Sequence, residues 1–453
     1  MKNINPDFGI YSSKIITEIG LFDGTILIKN NIISKLVAGK FLTQDFLVED
    51  LKDLVVMPGI IDSHVHINEP GRAEWEGFET MTKAAIAGGI TTLVDMPLNS
   101  SPVTTSKAAF EVKINSSKGK LYCNCGFYGG IVPENIQLLE ELIGCGVIGI
   151  KAFLTHSGID DFPNVTQEDL RKGLSILKKY QIPLLVHAEL DEIHEGTLAF
   201  EKNQTSYQHY LQSRPKKWED DAIELAIQLC EEFDTPVHIV HLSSANKLDR
   251  IREAKSNGLK LTVETCPQYL FFCAEEIPDA NTLFKCAPPI RERENNEKLW
   301  DALKDKTIDF IVTDHSPATP DLKELESGNL KNAWGGIASI QFSLPVVWTA
   351  AKKRNLNLTD ISNLMSKNVA NFIDLKNSKG LIKEGYDADL VIWNPDEKFE
   401  VKKEDIHYKH KISPYVGEEL FGTIYQTYLG GKKVFEKGKF LSLPEGKIIL
   451  KNI

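Results

Sequence analysis

The feature that most constrains this chain is an alternation of short apolar runs with longer amphipathic segments between residues 54 and 375. Each run is rich in β-branched residues and ends at proline, serine, glycine or a polar residue, as buried parallel strands do. The intervening segments have helical periodicity, as in 167–180 and 218–233. The eight runs are LVVMPGIIDSHVHI, ITTLVDMP, YCNCGFYGGI, VIGIKAFL, PLLVHAE, PVHIVHLSS, KLTVETCP and DFIVTDHSP.

Eight strand–helix units are the number that closes a (β/α)8 barrel, and the span is close to the size typical of that fold. Strands that alternate with helices also indicate a parallel sheet. The sequence therefore predicts the α/β class, with a catalytic, TIM-like (β/α)8 barrel over residues 54–378.

The two ends of the chain have a different pattern. Residues 1–53 contain GTILIKNNIISKLV, two short alternating runs around an Asn-Asn turn, which is typical of a β-hairpin. Residues 379–453 contain further short strands with turn signals. Because neither end has a convincing core of its own, we expect them to pair into one small β-sandwich beside the barrel.

Composition narrows the function classes. A formal net charge of −11 argues against a nucleic-acid partner, and no apolar run reaches the ~18 residues that a membrane span needs. The first residues, MKNINPDFGIYSS, lack the apolar region of a secretory signal. Seven cysteines without a CxxC motif indicate free thiols in a reducing compartment. These features predict a cytoplasmic globular protein.

Metal-type side chains fall at the ends of the predicted strands. His64 and His66 end the first run, and their spacing of two places both on one face of a strand. A single strand histidine is more often a hydrogen-bonded core residue, but the carboxyl ends of barrel strands converge on one mouth. Coincidence is a poor explanation for the whole set, which continues with His187, His241 and Asp314 at the ends of the fifth, sixth and eighth runs.

Lys151, in the fourth run, admits two explanations. Its ammonium can extend outward between helices, which would be a structural role. Alternatively its amine is neutral, because burial and nearby cations disfavour the charged form, and captures carbon dioxide to become a carbamate. In that case His64, His66 and Asp314 hold one divalent cation, His187 and His241 hold another, and carbamylated Lys151 is shared. Zinc suits this ligand mix best, and manganese, cobalt or iron also fit.

The remaining histidines serve as a comparison set. His238 is three residues before His241, so it faces the opposite way and is predicted to be structural. His315 is predicted to be either structural or a support for the ligands. Solvated or supporting positions are expected for the rest, namely His156, His194, His209, His407 and His410.

The chain contains seven longer motifs, namely HVHINEPGRAEWEGFETMTKAAIAGGITTLVDMPLNS, KAFLTHSGIDDFPNV, TCPQYL, KCAPPIRE, VTDHSPATPDLK, AWGGIASIQ and HKISPYVG. With these motifs and the strand-end residues, the chain resembles the amidohydrolase superfamily in its cyclic-amide branch, which includes dihydroorotases, hydantoinases or dihydropyrimidinases, and allantoinases. Its version of the motifs is similar to that of the allantoinase family. The resemblance implies a carbamylated Lys151, two metal ions, ring opening of the neutral ureide allantoin to allantoate in purine degradation, and a homo-oligomer, often a tetramer.

The resemblance also suggests residues that act on the substrate. Dihydroorotases usually have arginine where this chain has Asn68, and asparagine cannot replace its bidentate grip on a carboxylate, so Asn68 argues for an uncharged substrate. It can equally be a turn residue. Asn99, Ser316 and the backbone near Cys286 are the other candidate substrate contacts.

Two further functional expectations concern proton transfer and loop motion. Asp314 is expected to take the proton of a metal-activated hydroxide and pass it to the leaving ring nitrogen. Residues 155–165 are expected to form a mobile lid, although loop packing would explain the same composition.

Two positions depart from the allantoinase pattern, Gln268 in place of histidine and Met81 in place of glycine. The alternatives to an allantoinase are a hydantoinase or dihydropyrimidinase and, less favoured, a dihydroorotase or a non-catalytic scaffold of the same fold.

Overall fold

The computed structural model describes residues 6–452, and within this range the chain forms a barrel and a separate terminal sheet. The strands are β1 (Phe8–Thr17), β2 (Gly20–Lys29), β3 (Ile32–Ala38), β4 (Val48–Asp50), β5 (Val55–Pro58), β6 (Ile60–Val65), β7 (Ile90–Asp95), β8 (Asn124–Phe127), β9 (Gly129–Gly130), β10 (Ile150–Phe153), β11 (Leu184–His187), β12 (Val237–Ile239), β13 (Leu261–Thr265), β14 (Phe310–Ile311), β15 (Leu390–Glu400), β16 (Glu419–Leu429), β17 (Lys432–Glu436) and β18 (Lys439–Phe440).

The helices lie mostly between the barrel strands. They are α1 (Phe78–Ala87), α2 (Lys107–Ser117), α3 (Leu139–Gly144), α4 (Gln167–Tyr180), α5 (Glu195–Lys202), α6 (Tyr207–Ser213), α7 (Lys216–Phe233), α8 (Leu248–Ser256), α9 (Pro267–Phe271), α10 (Arg293–Lys304), α11 (Ser343–Lys352), α12 (Leu358–Ser362) and α13 (Asn368–Phe372). In the described range, no helix combines the length and apolar composition that crossing a membrane requires.

The predicted barrel is confirmed. β6, β7 and β8 pair in parallel, as do β9 to β14 in chain order. Only Tyr128 separates β8 from β9, so these two segments act as one strand and the barrel has eight. The barrel closes where Val65 bridges His315 and the amide of His66 donates to the His315 carbonyl at 2.9 Å.

The prediction of one strand over 54–67 is wrong. The chain divides at Gly59 into β5, which belongs to the terminal sheet, and β6, which belongs to the barrel. Gly59 passes so close to the next barrel strand that an added Cβ would lie 2.2 Å from Oγ1 of Thr91. The terminal sheet therefore extends beyond residue 53.

The two chain ends fold together, as predicted. Their strands form a nine-stranded sheet in which β5 joins β1 from the N-terminal segment to β15 from the C-terminal segment. The hairpin of β2 and β3 turns at Asn30 and Asn31, both with positive φ, as a tight two-residue turn requires. Side chains from both segments share one buried cluster, for example Ile26 and Ile392.

Helix α4 shows how the local sequence sets an element's bounds. The Thr166 hydroxyl accepts the amide hydrogen of Asp169, and the Asp169 carboxylate accepts that of Thr166, which completes a capping box. Leu170, Leu174 and Leu177 recur at helical spacing and are buried against the barrel. This helix has the bounds that the periodicity of 167–180 predicts.

Candidate metal centre and substrate cavity

The six predicted metal ligands lie together at the mouth of the barrel. His64 is in β6, Lys151 in β10 and His187 at the end of β11. His66, His241 and Asp314 lie just beyond the ends of β6, β12 and β14. All six are at most 7% exposed and line one cavity of about 460 Å³. The structure thus brings the predicted set together, as the convergence of parallel strands requires.

One group of three faces a common point. Nε2 of His64 and Nε2 of His66 each lie 3.3 Å from Oδ1 of Asp314. Nδ1 of His64 contacts Glu264, and Nδ1 of His66 lies 3.2 Å from the Leu98 carbonyl oxygen. Because those acceptors take the ring protons, the two Nε2 lone pairs face the carboxylate oxygen. Such a set of acceptor atoms, all within 4.8 Å of one another, is suited to a divalent cation.

The second group lies beside the first. Nδ1 of His187 lies 2.9 Å from Nε2 of His241, and the His241 ring is 5.4 Å from the ring of His64. Nδ1 of His241 has no hydrogen-bond partner among the described residues. Burial lowers the pKa of His64, His187 and His241, which favours the neutral rings that can act as ligands.

Lys151 reaches the same cavity from the barrel wall. Its side chain is fully buried, and within residues 6–452 its amine has no hydrogen-bond partner. Burial lowers the pKa of Lys151 to about 7, which leaves much of the amine uncharged near neutral pH. The alternative that Lys151 extends outward between helices is therefore wrong, and an uncharged amine is the form that reacts with carbon dioxide.

Two carboxylates that the sequence interpretation missed orient the histidines. Glu264 of β13 contacts Nδ1 of His64, accepts from Nε2 of His238 at 2.9 Å and accepts the amide hydrogen of His241 at 3.2 Å. Burial alone would raise the pKa of Glu264, but His64 and His238 lower it to about 2. Glu264 is thus an anion that ties β6 and the end of β12 to its own strand β13. The structural role predicted for His238 is to hold this carboxylate.

Glu189 is the second missed carboxylate. Its Oε2 accepts from Nε2 of His187 at 2.9 Å, and its Oε1 accepts from Nε of Arg214 at 3.1 Å. Burial alone would raise the pKa of Glu189, but Arg214 and His187 have a larger opposite effect and lower it to about 2. Carboxylate partners of this kind select the tautomer of a metal-binding histidine. The available signal was the position of Glu189, two residues after His187.

The backbone at the site is also unusual. His241 and Asp314 have φ values of 39° and 47°, a left-handed conformation that non-glycine residues seldom adopt. The carboxylate of Asp62 accepts the amide hydrogens of His64 at 3.1 Å and Thr313 at 3.2 Å, which ties the first barrel strand to the last. These constraints place the Asp314 carboxylate against His64 and His66.

The predicted substrate residues divide into two pairs. Asn99 and Ser316 line the cavity, and Nδ2 of Asn99 lies 3.4 Å from Nδ1 of His66. Asn68 and Cys286 are buried and do not line it, but Lys285 and Ala287, on either side of Cys286 in the backbone, do. Asn68 has a φ of 69° and donates to the Pro317 carbonyl at 3.2 Å, which is the turn role considered for it. The Cys286 carbonyl accepts from the Tyr210 hydroxyl at 2.7 Å.

Several cavity residues were not found from the sequence. Tyr210, Arg214 and Trp218 come from helices α6 and α7 and the link between them, in the long segment between β11 and β12. Lys285 and Trp334 come from later loops. The only signal was the length of residues 188–236, which exceeds what one connecting helix needs.

The predicted lid also contributes to the cavity wall. His156, Ser157 and Gly158 line the cavity, although His156 was expected to be solvated or supporting. Outside the cavity, Nδ1 of His315 accepts the amide hydrogens of Ser339 and Ile340, which is a supporting role.

The two departures from the family pattern lie in the interior. Gln268 and Met81 are fully buried, and neither lines the cavity.

Comparison with known proteins agrees with this geometry. The sequence profile of the amidohydrolase family matches residues 55–434. The chain belongs to the amidohydrolase family. An allantoinase of Arabidopsis thaliana is 45% identical over 96% of this chain and 89% of its own length. An allantoinase of Saccharomyces cerevisiae is 39% identical over 97% and 94%.

A solved structure of this amidohydrolase fold is also similar. The L-hydantoinase (dihydropyrimidinase) of Arthrobacter aurescens superposes with a TM-score of 0.93 at 27% identity, covering 98% of this chain and 100% of the other. The family that the sequence motifs predicted is thus confirmed, and so is the barrel with its terminal sheet.

Proposed function

We propose that this amidohydrolase is an allantoinase, which opens the ring of allantoin by hydrolysis to give allantoate in purine and ureide degradation. The observation that carries the proposal is the set of six ligand-type residues in one cavity. The allantoinases of Arabidopsis thaliana and Saccharomyces cerevisiae, similar over nearly the whole chain, support the assignment of the ring.

The donor set suits two divalent cations, and a carbamylated Lys151 would be the ligand that both share. His64, His66 and Asp314 would hold one ion, and His187 and His241 the other. The fit rests on lone pairs that face one another and on a buried Lys151 amine that has no hydrogen-bond partner in the range 6–452. Zinc is the ion that imidazole and carboxylate ligands favour, with manganese, cobalt or iron as alternatives. When bound, such ions activate water and polarise an amide carbonyl at neutral pH.

The side chains supply orientation and proton transfer. Asp314, at the mouth and 7% exposed, accepts a proton from the attacking water and returns it to the leaving ring nitrogen. Glu189 and Glu264 hold the rings of His187 and His64 so that one nitrogen of each faces the cavity. Asn99 and Ser316 offer an amide and a hydroxyl to the polar edges of the substrate.

The charges around the cavity suit a neutral substrate. Arg214 is neutralised by Glu189, Lys331 pairs with Glu201, and Lys285 donates to backbone carbonyls. An anionic ring such as dihydroorotate would need a free cation to hold its carboxylate. The proposed ureide substrate carries no net charge and needs none.

A hydantoinase or dihydropyrimidinase is the second candidate, because the Arthrobacter aurescens enzyme has the same fold over the whole chain. A non-catalytic scaffold has less support, because every predicted ligand position is occupied by a suitable residue. A dihydroorotase has less support, because this chain has Asn68 where those enzymes usually have an arginine that grips the substrate carboxylate.

The decisive experiment is a hydrolysis assay on metal-replete protein prepared with bicarbonate. Allantoin, hydantoin, dihydrouracil and dihydroorotate are offered at equal concentration. We expect allantoin to be preferred and allantoate to be the product. Preference for hydantoin or dihydrouracil would favour the second candidate, and preference for dihydroorotate would overturn the argument from charge.

The cellular setting stays a prediction. The seven cysteines are all free, which supports a cytoplasmic location. The predicted homotetramer is tested by light scattering on the purified protein.

A further inference from the structure

A loop of residues 331–336 forms one wall of the cavity. Ala333, Trp334 and Gly335 line the cavity directly. The loop contains no helix or strand, so regular backbone hydrogen bonds do not fix its shape. Contacts from elsewhere in the chain must therefore hold it in place.

Two lysines provide several of these contacts, in addition to the Trp334 amide, which donates to the Leu322 carbonyl at 2.7 Å. The Lys323 ammonium donates to the carbonyl oxygens of Lys285 at 3.2 Å, Trp334 at 3.0 Å and Gly336 at 2.8 Å. The Lys285 ammonium donates to the carbonyl oxygens of Lys331 at 3.0 Å and Ala333 at 2.5 Å. In the described part of the chain, every hydrogen-bond acceptor of these two ammonium groups is a backbone carbonyl. We call Lys285 and Lys323 the lysine clamp.

Removing the ammonium groups of these two lysines from water costs free energy unless other groups compensate. Lys323 is 3% exposed, and burial lowers the pKa of Lys285 and of Lys323 to about 7. A lysine without a carboxylate partner is rarely buried in a protein. The five carbonyl oxygens around the clamp offset this cost and belong almost entirely to the cavity loop.

The loop in turn positions a large side chain over the cavity. The Trp334 ring meets the edge of Trp75 with centroids 4.8 Å apart, and its Nε1 lies 3.4 Å from Oγ of Ser316. Gly336 runs so close to Ser316 that an added Cβ would lie 2.4 Å from its carbonyl oxygen. A shift of the loop would therefore move Trp334 and Ser316 together.

We propose that Lys285 and Lys323 are positioning residues that hold the 331–336 loop as the cavity wall and so set the affinity for the ureido arm of the substrate. The inference rests on the proposed function for the identity of that substrate. A loop that is only partly held in its binding conformation lowers the apparent affinity by the fraction of time it is displaced. If the reacting ring binds at the metal-type residues, as the proposed function requires, the ureido arm extends toward the rest of the cavity wall, which includes this loop. The hydrogen bonds of the clamp go to backbone carbonyls and to none of the six ligand-type side chains, so we expect turnover of bound substrate to be retained.

The test compares Lys323→Met and Lys285→Met with the unchanged protein and with Lys285→Arg. Lys255→Met is the matched control, because Lys255 makes a partly buried ion pair with Asp309 at the opposite end of the barrel. Hydrogen exchange of the 331–336 amides is measured first, followed by KM and kcat for allantoin and for hydantoin, which lacks the ureido arm.

We expect exchange of the loop amides to quicken about tenfold in both methionine variants. We expect KM for allantoin to rise about tenfold, with kcat within about threefold and KM for hydantoin less affected. Lys285→Arg retains donors and should restore most of the affinity. Lys255→Met should leave loop exchange and KM unchanged.

Unchanged loop exchange in the methionine variants would overturn the clamp itself. Faster exchange with an unchanged KM would overturn its link to affinity. Hydrogen exchange is measured without substrate, so it tests the clamp even if the unchanged protein does not hydrolyse allantoin. That failure would count against the proposed function alone. Lys285 is only partly buried, so Lys285→Met keeps the test available if Lys323→Met does not fold.

Discussion

The Glu189 carboxylate lies 2.9 Å from Nε2 of His187 and leaves Nδ1 of that ring facing His241. Both oxygens of Glu189 are in use, since Arg214 donates to them from the other side. The ring orientation of His187 is thus set by a charge that Arg214 keeps ionised. This relationship makes the second metal position dependent on a residue that is not a ligand.

Glu189→Gln should weaken metal binding at the second position, the one formed by His187 and His241. The amide cannot keep both partners, and Arg214 is left without its counter-charge, so we expect metal affinity and turnover to fall about 10–100-fold. Metal content by mass spectrometry and kcat for allantoin are the measurements. Glu192→Gln is the control, because Glu192 is exposed and pairs with Lys217 at the surface. Equal effects of the two changes would contradict the orienting role.

Lys151→Ala should remove the bridge between the two metal positions. Without a carbamate, we expect fewer than two metal ions per chain and a loss of activity of at least about 10²-fold. Because alanine vacates the end of a cavity, added propionate should restore part of the activity. Lys151→Arg, which fills the space and cannot be carbamylated, should not respond to propionate.

Labelled bicarbonate gives an independent measurement of the same group. A carbamate carbon signal is expected in the unchanged protein by ¹³C magnetic resonance and not in Lys151→Ala. Full metal loading without that signal would show that Lys151 binds in another form.

Asp314→Asn should separate metal binding from proton transfer. His64, His66 and the other ligand-type residues remain, so most of the metal should be retained. Turnover should fall by about 10²–10⁴, the range for loss of a general acid–base group. Asp321→Asn, at an exposed position in the same segment, is the control. Near-normal turnover of Asp314→Asn would exclude the proton-shuttle role.

Much of the fold was predictable because most barrel strands are short segments of consecutive residues with a recognisable composition. The strands that lead to His187 and Asp314 are buried on both faces, so each stands out as a short apolar stretch. The division of the first run at Gly59 was not predictable in this way. It depends on the pairing of β5 with β15, whose partners Met57 and Val391 lie far apart in sequence.

The ligand-type residues were predictable for a related reason, since strand ends converge in a barrel. Glu264 was not, because a single glutamate in a strand has ordinary explanations and its partner His64 is 200 residues away. Lys285 and Trp334 reach the cavity from loops whose conformation depends on long-range contacts. Those contacts leave no periodic signal in the sequence.

Glu49 connects the two chain ends and provides a test of the terminal sheet. It lies on β4, and its carboxylate accepts from Tyr428 at 2.5 Å, from Gln426 at 2.7 Å and from Lys433 at 2.8 Å, all on β16 or β17. Burial raises the pKa of Glu49, but these hydrogen bonds outweigh it and leave the pKa below its ordinary value of 4.5.

Glu49→Gln should therefore lower the free energy of unfolding in a pH-dependent way. A carboxylate whose pKa is depressed in the folded state stabilises the protein above its unfolded pKa, and that contribution is lost as the pH falls through the folded value. We expect a loss of about 1–2 kcal/mol at pH 7 that shrinks below pH 4.5, measured by urea unfolding across this range. Asp50→Asn, which breaks a surface pair with Lys40, should cost less than about 1 kcal/mol. If Glu49→Gln lowered the free energy of unfolding equally at pH 7 and well below pH 4.5, the charge of Glu49 would not be what joins the N-terminal and C-terminal segments.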